Sequence, residues 1–256
     1  IDIPTGILVG SLILCGMPIQ GKIVIPNVKR TTSHRKWAII YGLLALLTVL
    51  LSFTLGGTWL WLLWLSVSFI LLSLSYLFFG TQLFRKRATG SLAASAGWLF
   101  FPYLLIARLN THYWIDLKRE KRAVEILPEI SIGSILAAKD YSAVFDLTAE
   151  ITYSPRENQH YFNFPLLDMV LPTTEQLASA SWQLEQIVRT KQPVLICCAL
   201  GYGRSVAVLL TWLICYRQYS FTQALDLIRA VRPNAVINEE IEQNILRLSR
   251  YYQKLD

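Results

Sequence analysis

The sequence predicts an α-helical membrane region followed by an α/β domain, with a mixed or parallel sheet flanked by helices. The first part of the chain is mostly apolar, with long runs of Leu, Ile, Trp and Phe. The second part alternates short apolar segments with segments that open on helix-capping residues. A mean hydropathy of +0.41 with eight Trp is typical of a chain with a membrane part. We therefore predict a membrane region over residues 1–110, a basic linker over 111–125 and an α/β domain over 126–256.

Three segments are predicted to cross the membrane: residues 3–19, 37–55 and 58–79. A spanning helix needs about 20 apolar residues, and these segments meet or approach that length. Gly56 and Gly57 form an uncharged turn, so the second and third segments are expected to pair as a hairpin. The outer ends of this hairpin are basic, and the positive-inside rule places them in the cytoplasm.

A fourth apolar stretch, residues 92–107, is shorter and contains Pro102 in the run Phe-Phe-Pro-Tyr. It either crosses the bilayer or lies at its interface as an aromatic anchor. Basic residues on both sides favour the interface, and the α/β domain would then stay in the cytoplasm.

The basic residues lie at the ends of apolar runs rather than along a soluble face. The net charge is +7. The clusters are Lys22, Lys29, Arg30, Arg35 and Lys36; Arg85, Lys86 and Arg87; and Lys118, Arg119, Lys121 and Arg122. This placement is typical of membrane topology signals and of contact with anionic lipid. We therefore expect the lipid bilayer as a partner, and no nucleic acid.

Four strands and four helices are predicted in the α/β domain. The predicted strands are residues 129–136, 143–148, 161–166 and 193–197, and the helices begin near Thr173, Arg204, Ser220 and Asn238. Thr173 and Ser220 are each followed three residues later by Gln, which makes a capping box. The strand at 193–197 has no alternation of polarity, as is typical of a buried parallel strand.

Eight residues, Cys198 to Ser205, join that buried strand to the following helix. The loop contains Gly201 and Gly203, so its consecutive N–H groups can converge on one anion at a helix N-terminus. Arg204 adds a planar fork that holds two phosphate oxygens at once. The predicted phosphate-binding residues are Ala199, Leu200, Gly201, Tyr202, Gly203 and Arg204.

The same loop predicts covalent chemistry on a phosphate ester. We expect the amides and Arg204 to favour the thiolate of Cys198, with the Ser205 hydroxyl as its partner. The thiolate would attack phosphorus, and water would hydrolyse the cysteinyl-phosphate without a metal or cofactor. The leaving oxygen needs a proton from a general acid. Asp168 follows the strand 161–166 and is our candidate, while Asp146 and Glu150 remain alternatives.

The other cysteines and the histidines predict no further site. Cysteine spacing matches neither a CxxC nor a zinc pattern. Cys15 and Cys215 lie in apolar segments. The three histidines are isolated in sequence: His34, His112 and His160.

The pattern Cys-x-x-Gly-x-x-Arg-Ser resembles the signature of the dual-specificity, protein-tyrosine-phosphatase-like superfamily. Residues 166–173 resemble its acid loop, and residues 229–234 resemble its C-terminal region. Within the superfamily the chain looks most like phosphatidylglycerophosphate phosphatases. The resemblance implies a cysteine-phosphatase fold, with Cys198 as nucleophile, Arg204 as phosphate clamp and Asp168 as general acid. Ser205 would be the partner of the thiolate.

The start of the chain has a resemblance of its own. Residues 2–6, followed by an apolar helix, look like the end of the last motif of type 2 phosphatidic acid phosphatases, without the catalytic His of that family. A bacterial fusion of the two families would account for both halves. It implies a multi-pass protein of the bacterial inner membrane with a cytoplasmic phosphatase domain.

One departure concerns the residue before the nucleophile, which is usually His in this superfamily and is Cys197 here. A thiol donates hydrogen bonds weakly, so we expect weaker activation of Cys198. The predicted function is a membrane-anchored phosphatase for a lipid phosphate. The alternatives are a phosphatase for phosphoproteins, or a module that binds phosphate with little or no turnover.

Overall fold

The computed structural model describes residues 32–170 and 172–252. The first predicted span, residues 3–19, lies outside the described residues. So do Cys15 and the residues 2–6 that carry the second resemblance. The division of the chain at residues 110 and 125 stays a prediction.

A helical hairpin, residues 32–84, opens the described structure. It contains helices α1 (Thr32–Leu55) and α2 (Leu62–Leu74). Gly56 and Gly57 have φ values of 59° and 55°, a left-handed conformation that glycine adopts at low cost, and they form the predicted turn. A 3₁₀ turn precedes α2. A π-helical turn (Ser75–Phe79) and a second 3₁₀ turn (Gly80–Phe84) follow it.

The hairpin is long and apolar enough to cross a membrane. Within the described residues the two stretches that qualify are Ser33–Leu55 and Gly57–Phe84, with mean hydropathies of 2.3 and 2.1. Large side chains on α1, such as Leu43, Leu46 and Phe53, are more than half exposed. The predicted helices and their turn are therefore present, although α1 begins five residues earlier than expected. That they cross a membrane stays a prediction.

The fourth apolar stretch forms two short helices rather than one. These are α3 (Ala94–Leu99) and α4 (Phe101–His112), with Pro102 in the first turn of α4, where it costs no hydrogen bond. The break is fixed by Phe100, which is buried and stacks on Phe84 with ring centroids 4.7 Å apart. At about 1.5 Å per residue neither helix alone reaches the roughly 30 Å of a bilayer core. The interfacial position of this stretch stays a prediction.

A five-stranded mixed sheet forms the centre of the C-terminal domain, in the order β1-β2-β5-β3-β4. Its strands are β1 (Ala123–Leu127), β2 (Ile130–Ser134), β3 (Ala143–Thr148), β4 (His160–Leu166) and β5 (Val194–Cys198). Only β1 runs antiparallel to its neighbour in this sheet. The predicted mixed sheet is confirmed. Strand β1 was not predicted, because its short alternation of Val124, Glu125 and Ile126 adjoins a basic cluster.

Four helices accompany the sheet: α5 (Thr174–Val188), α6 (Arg204–Arg217), α7 (Phe221–Val231) and α8 (Glu239–Tyr252). Both predicted capping boxes are present, with reciprocal hydrogen bonds of 2.9–3.2 Å at Thr173 and Ser220. The Asn238 carboxamide accepts from the N–H of Ile241 at 3.0 Å, as expected of a helix cap.

The core explains where the functional residues meet. Helix α6 is the most buried helix of the domain, and its first ten residues are all buried against the sheet and its neighbours. Because β3, β4 and β5 run parallel, their C-terminal ends lie on the same side of the sheet, at Thr148, Leu166 and Cys198. The loops that follow the three strands therefore lie close together.

Candidate active site

Cys198 is the last residue of β5, and its side chain is buried at the base of the loop. The Gly201 N–H donates to its sulfur at 3.2 Å. The Ser205 hydroxyl oxygen lies 3.5 Å from the same sulfur. The sulfur thus has two neighbouring donors that can stabilise a thiolate, which is the arrangement expected of the predicted nucleophile.

Outside contacts hold the loop in its curled shape. The Ser134 hydroxyl donates to the carbonyl of Ala199 at 2.6 Å, and the Arg232 guanidinium donates to that of Leu200 at 2.6 Å. The carbonyl of Tyr202 accepts from the N–H of Val236 at 2.8 Å. In a trans peptide the next N–H points away from the carbonyl, so these bonds turn the N–H groups toward the loop interior.

Gly201 is required for a second reason. Its φ is +79°, and a Cβ there would lie 2.5 Å from the backbone carbon of Gly133. Both the conformation and the close approach to β2 exclude a side chain. Sequence reasoning identified Gly201 from the motif, but it missed Gly133, Ser134 and Arg232, which support the loop from other segments.

Arg204 begins α6, and its guanidinium is held from two sides. Glu150 accepts from both terminal nitrogens, at 2.9 and 2.7 Å, and the carbonyl of Leu166 accepts at 3.0 Å. An oxygen of Asp168 lies 3.1 Å from Nη2. Burial alone would lower the pKa of Arg204, but the charges of Asp168 and Glu150 outweigh it and raise the pKa. The guanidinium is therefore a fixed cation beside Cys198.

One nitrogen of this guanidinium makes no hydrogen bond to the described residues. The Nε of Arg204 is buried and has no hydrogen-bond partner among the described residues. A buried donor without a partner is costly, and an anion bound in the loop would satisfy it. The predicted role of Arg204 as a phosphate clamp thus has a free donor available.

Asp168 lies just after β4 and lines the same cavity as Cys198 and Arg204. Its side chain is 41% exposed. Loss of hydration raises the pKa of this carboxyl above its usual range; Arg204 opposes the rise and Glu150 adds to it. A raised pKa suits a group that must carry a proton when the leaving oxygen departs.

The two alternative acids have other partners. Asp146 is fully buried, lies 2.6 Å from the Lys86 ammonium and accepts from the Tyr161 hydroxyl at 2.6 Å. For Glu150, burial would raise the pKa, but the charge of Arg204 outweighs it, and the pKa is lowered. Asp146 and Glu150 both lack the exposure of Asp168, and the pKa of Glu150 is shifted in the opposite direction from that of Asp168.

Two contacts were not predicted from the sequence. Glu150, an alternative candidate for the acid, accepts hydrogen bonds from both terminal nitrogens of Arg204. Lys86 was assigned to a membrane-flanking basic cluster, yet its side chain is 1% exposed and its ammonium donates to Asp146 and Thr148. A Lys in a basic triplet gives no signal of such pairing, because its partner lies 60 residues away.

Cys197 is fully buried beside Cys198 but belongs to the other face of the sheet. Its sulfur lies 3.7 Å from the carbonyl oxygen of Phe145. Burial raises its pKa well above the usual value for a thiol, so it stays neutral. That Cys198, and not Cys197, is the reactive residue stays a prediction.

A cavity of about 610 Å³ opens above the loop. Residues of the Cys198 loop, Glu150 and Asp168 form one wall. Residues of α1, α4 and the turn after α4 form another: Tyr41, Tyr103, Ile106, Ala107, Asn110, Thr111 and Trp114. Six of these recur at helical spacing along one continuous face. That regularity was readable in the sequence, but nothing in it indicated that the face would meet the nucleophile.

No cluster of three or more metal-ligating side chains occurs within residues 32–170 and 172–252. The expectation of a site without metal or cofactor stays a prediction, as do the catalytic roles of the individual side chains.

Comparisons with known proteins agree with the loop geometry. Residues 127–251 match the family model described as dual specificity phosphatase, catalytic domain. No curated protein matches the chain. Among solved structures, Tk-PTP in the active form has 30% identity, covering 50% of this chain and 97% of that one, with a TM-score of 0.45. Human DUSP28 has 19% identity, with coverages of 52% and 96% and a TM-score of 0.45.

PTPMT1 in complex with PI(5)P has 13% identity, with coverages of 53% and 99% and a TM-score of 0.46. The family match and the site built from Cys198, Arg204 and the loop between them point to the same activity. The chain is a phosphatase of the dual-specificity type, with its cysteine-dependent catalytic domain in residues 127–251.

Proposed function

We propose that this phosphatase hydrolyses a lipid phosphate monoester at a membrane surface. The observation that carries the proposal is the shared cavity, in which Cys198 and Arg204 face an apolar helix that belongs to the N-terminal half. A phosphate held by Arg204 would leave the rest of its substrate beside Tyr103, Ile106 and Ala107.

The first chemical step transfers the phosphoryl group to the enzyme. The loop N–H groups and the Arg204 guanidinium bind the phosphoryl oxygens, and the Cys198 thiolate attacks phosphorus. The S–P bond forms as the P–O bond to the alcohol breaks. Asp168 gives its proton to the leaving oxygen, so that a neutral alcohol departs.

The second step regenerates the enzyme. Water attacks the cysteinyl-phosphate, and the Asp168 carboxylate takes up the proton that this water loses. Inorganic phosphate leaves, and Cys198 returns to the thiolate. Neither step is a redox reaction, and water is the only co-substrate of the cycle.

Binding of substrate would also prepare the acid. Asp168 pairs with Nη2 of Arg204 at 3.1 Å in this structure. A phosphate dianion would compete for that nitrogen and bring negative charge close to Asp168. Both changes favour the protonated carboxyl, which is the form that the first step uses.

The two faces of α4 support a lipid substrate. The face at Tyr103, Ile106 and Ala107 lines the cavity. Phe101, Leu105 and Leu109 are 49%, 46% and 60% exposed, although they are apolar. A helix that exposes apolar side chains next to two candidate spans fits a position at the bilayer surface. A lipid could then present its phosphate to Cys198 without leaving the membrane.

Anchoring is part of the same proposal. The exposed apolar surface of α1 and the exposed basic residues Arg85 and Arg87 at the end of the hairpin fit a bilayer with the phosphatase domain in the cytoplasm. Anchoring would raise the effective concentration of lipid substrate at the site. A multi-pass protein of the bacterial inner membrane, and kinship with phosphatidylglycerophosphate phosphatases, belong to this proposal too.

The test is a substrate panel run on the full chain in lipid nanodiscs. The panel contains phosphatidylglycerophosphate, phosphatidic acid, a phosphoinositide, and peptides with phosphotyrosine or phosphoserine. We expect phosphate release from at least one lipid at a higher kcat/KM than from any peptide, and none from Cys198→Ser.

Faster release from peptides would replace the lipid proposal with a protein phosphatase. If wild type released no more phosphate than Cys198→Ser from every substrate, the chain would be a binding module instead.

A further inference from the structure

The loop that carries Asp168 packs on the N-terminal hairpin rather than on the core of the phosphatase domain. We use the name acid loop for residues 167–170, the part around Asp168 of the segment 166–173 that resembles the family's acid loop. Leu167 and Val170, on either side of Asp168, are both 8% exposed. They belong to a hydrophobic cluster with Phe69, Leu72 and Tyr76 of the hairpin, and not to the cluster around the sheet and α6. Leu167 and Val170 are thus buried mainly by segments outside residues 127–251.

Two side chains of the hairpin also bind the backbone of the acid loop. The Tyr76 hydroxyl donates to the carbonyl of Asp168 at 2.9 Å. The Ser33 hydroxyl donates to the carbonyl of Met169 at 3.2 Å. These carbonyls are consecutive, so the hairpin fixes the peptide planes on the C-terminal side of the acid.

The acid loop has a conformation that needs such restraint. Met169 has a φ of +59°, a left-handed conformation that residues with a side chain rarely adopt. A backbone of this kind persists only where its surroundings hold it. The hydrogen bonds from Ser33 and Tyr76 act on the carbonyls of Met169 itself and of the residue before it.

Tyr76 is itself held rigidly. It is 2% exposed, and its ring stacks on Tyr41 with centroids 5.5 Å apart. It lies in the π-helical turn Ser75–Phe79 that follows α2, an irregular helix type often found at functional sites. The hydroxyl therefore has a fixed position from which to bind the acid loop.

We propose that Tyr76 and Ser33 are positioning residues for Asp168, and that the hairpin is a working part of the active site as well as a membrane anchor. This inference rests on the proposed function, because it requires Asp168 to be the general acid. Loss of the Tyr76 hydroxyl would let the acid loop shift. Proton transfer to the leaving oxygen would then slow, while phosphate binding by Arg204 and attack by Cys198 would persist.

The test compares leaving groups in the full-length protein. An alkyl phosphate has a poor leaving group that needs the acid, whereas p-nitrophenyl phosphate has a good one that does not. For Tyr76→Phe we expect kcat/KM on the alkyl phosphate to fall about tenfold and kcat/KM on p-nitrophenyl phosphate to change less than about twofold, because kcat/KM reports the first step and not the hydrolysis that both substrates share. Ser33→Ala should show a smaller loss with the same selectivity. Tyr113→Phe makes the same change at an exposed tyrosine outside the cavity and should alter neither rate.

Asp168→Asn separates the two levels of the argument. If it lowers kcat/KM for the alkyl phosphate far more than for p-nitrophenyl phosphate, the acid is correctly assigned, and Tyr76→Phe added to it should cause no further loss of kcat/KM. If Asp168→Asn lowers kcat/KM equally for both substrates, the acid assignment in the proposed function is wrong. If Asp168→Asn is selective but Tyr76→Phe is not, or has no effect, the positioning inference is wrong and the proposed function stands. Should Tyr76→Phe fail to fold, the same two outcomes are read from Ser33→Ala.

Discussion

Glu150 accepts hydrogen bonds from both terminal nitrogens of Arg204, at 2.7 and 2.9 Å, and both side chains are almost fully buried. This bidentate contact fixes the plane of the guanidinium next to Cys198. The carboxylate comes from the loop after β3, and the arginine comes from the N-terminus of α6. The pair therefore joins the loop after β3 to the loop after β5, and the site depends on the relative position of these two loops.

Replacing Glu150 with Gln keeps the size of the side chain and removes its charge. Arg204 then loses its main counter-charge, so we expect kcat/KM to fall about 10- to 100-fold and the free energy of unfolding to fall by about 3 kcal/mol. Phosphate release and chemical denaturation measure the two effects. Glu157→Gln, at an exposed position, should change neither. Unchanged activity in Glu150→Gln would mean that Arg204 needs no orienting carboxylate.

The lowered pKa of Glu150 gives this prediction a pH signature. A carboxyl whose pKa is lower in the folded state stabilises the fold above its usual pKa, and this contribution is lost as pH falls through the folded value. Wild type should therefore lose stability in acid more steeply than Glu150→Gln. Chemical denaturation at a series of pH values measures this difference. An equal loss of unfolding free energy with falling pH in the two proteins would contradict the prediction.

The raised pKa of Asp168 predicts the alkaline side of the activity profile. The first step uses the protonated carboxyl, so kcat/KM should fall as pH rises through a pKa above the usual aspartate range. We expect this fall with an alkyl phosphate and its absence in Asp168→Asn, measured at substrate concentrations well below KM. An alkaline fall that survives in Asp168→Asn would assign the titration to another group.

The cysteines should differ sharply in alkylation. Burial raises the pKa of Cys215 to about 12 and that of Cys197 well above its usual value, so both stay protonated near neutral pH. Cys198 has the Gly201 N–H and the Ser205 hydroxyl beside its sulfur. We expect iodoacetamide to modify Cys198 first among these three, as mass spectrometry of the digest would reveal, and inorganic phosphate to protect it. Faster modification of Cys197 would contradict the assignment of the nucleophile.

Local signals made much of the phosphatase domain predictable. The capping boxes at Thr173 and Ser220, and the unbroken apolar run before Cys198, each depend on residues within a few positions of one another. The loop from Cys198 to Ser205 also carries its chemistry in consecutive residues. These elements appear in the structure where the sequence placed them.

Contacts between distant segments were not predictable in this way. Glu150 meets Arg204 across 54 residues, and Tyr76 meets Asp168 across 92. No periodicity links such positions, and an apolar hairpin gives the same sequence signal whether or not it touches an active site. The same holds for α4. Its sequence shows which residues share one helical face, but not that this face lines the cavity beside Cys198.

The buried pair of Lys86 and Asp146 gives a last prediction, about how the two halves depend on each other. Lys86 follows the hairpin and Asp146 lies in β3, and their charged atoms are 2.6 Å apart with side chains 1% and 0% exposed. Lys86→Met would leave the Asp146 carboxylate buried without its counter-charge, at a cost of about 3–5 kcal/mol in unfolding free energy. Adding Asp146→Asn should recover part of that loss, because the orphaned charge is then gone. Arg87→Met, at an exposed neighbour, should change stability by less than about 0.5 kcal/mol. If Lys86→Met lowered the free energy of unfolding no more than Arg87→Met does, as measured by chemical denaturation, the Lys86–Asp146 pair would not stabilise the contact between the hairpin and the sheet.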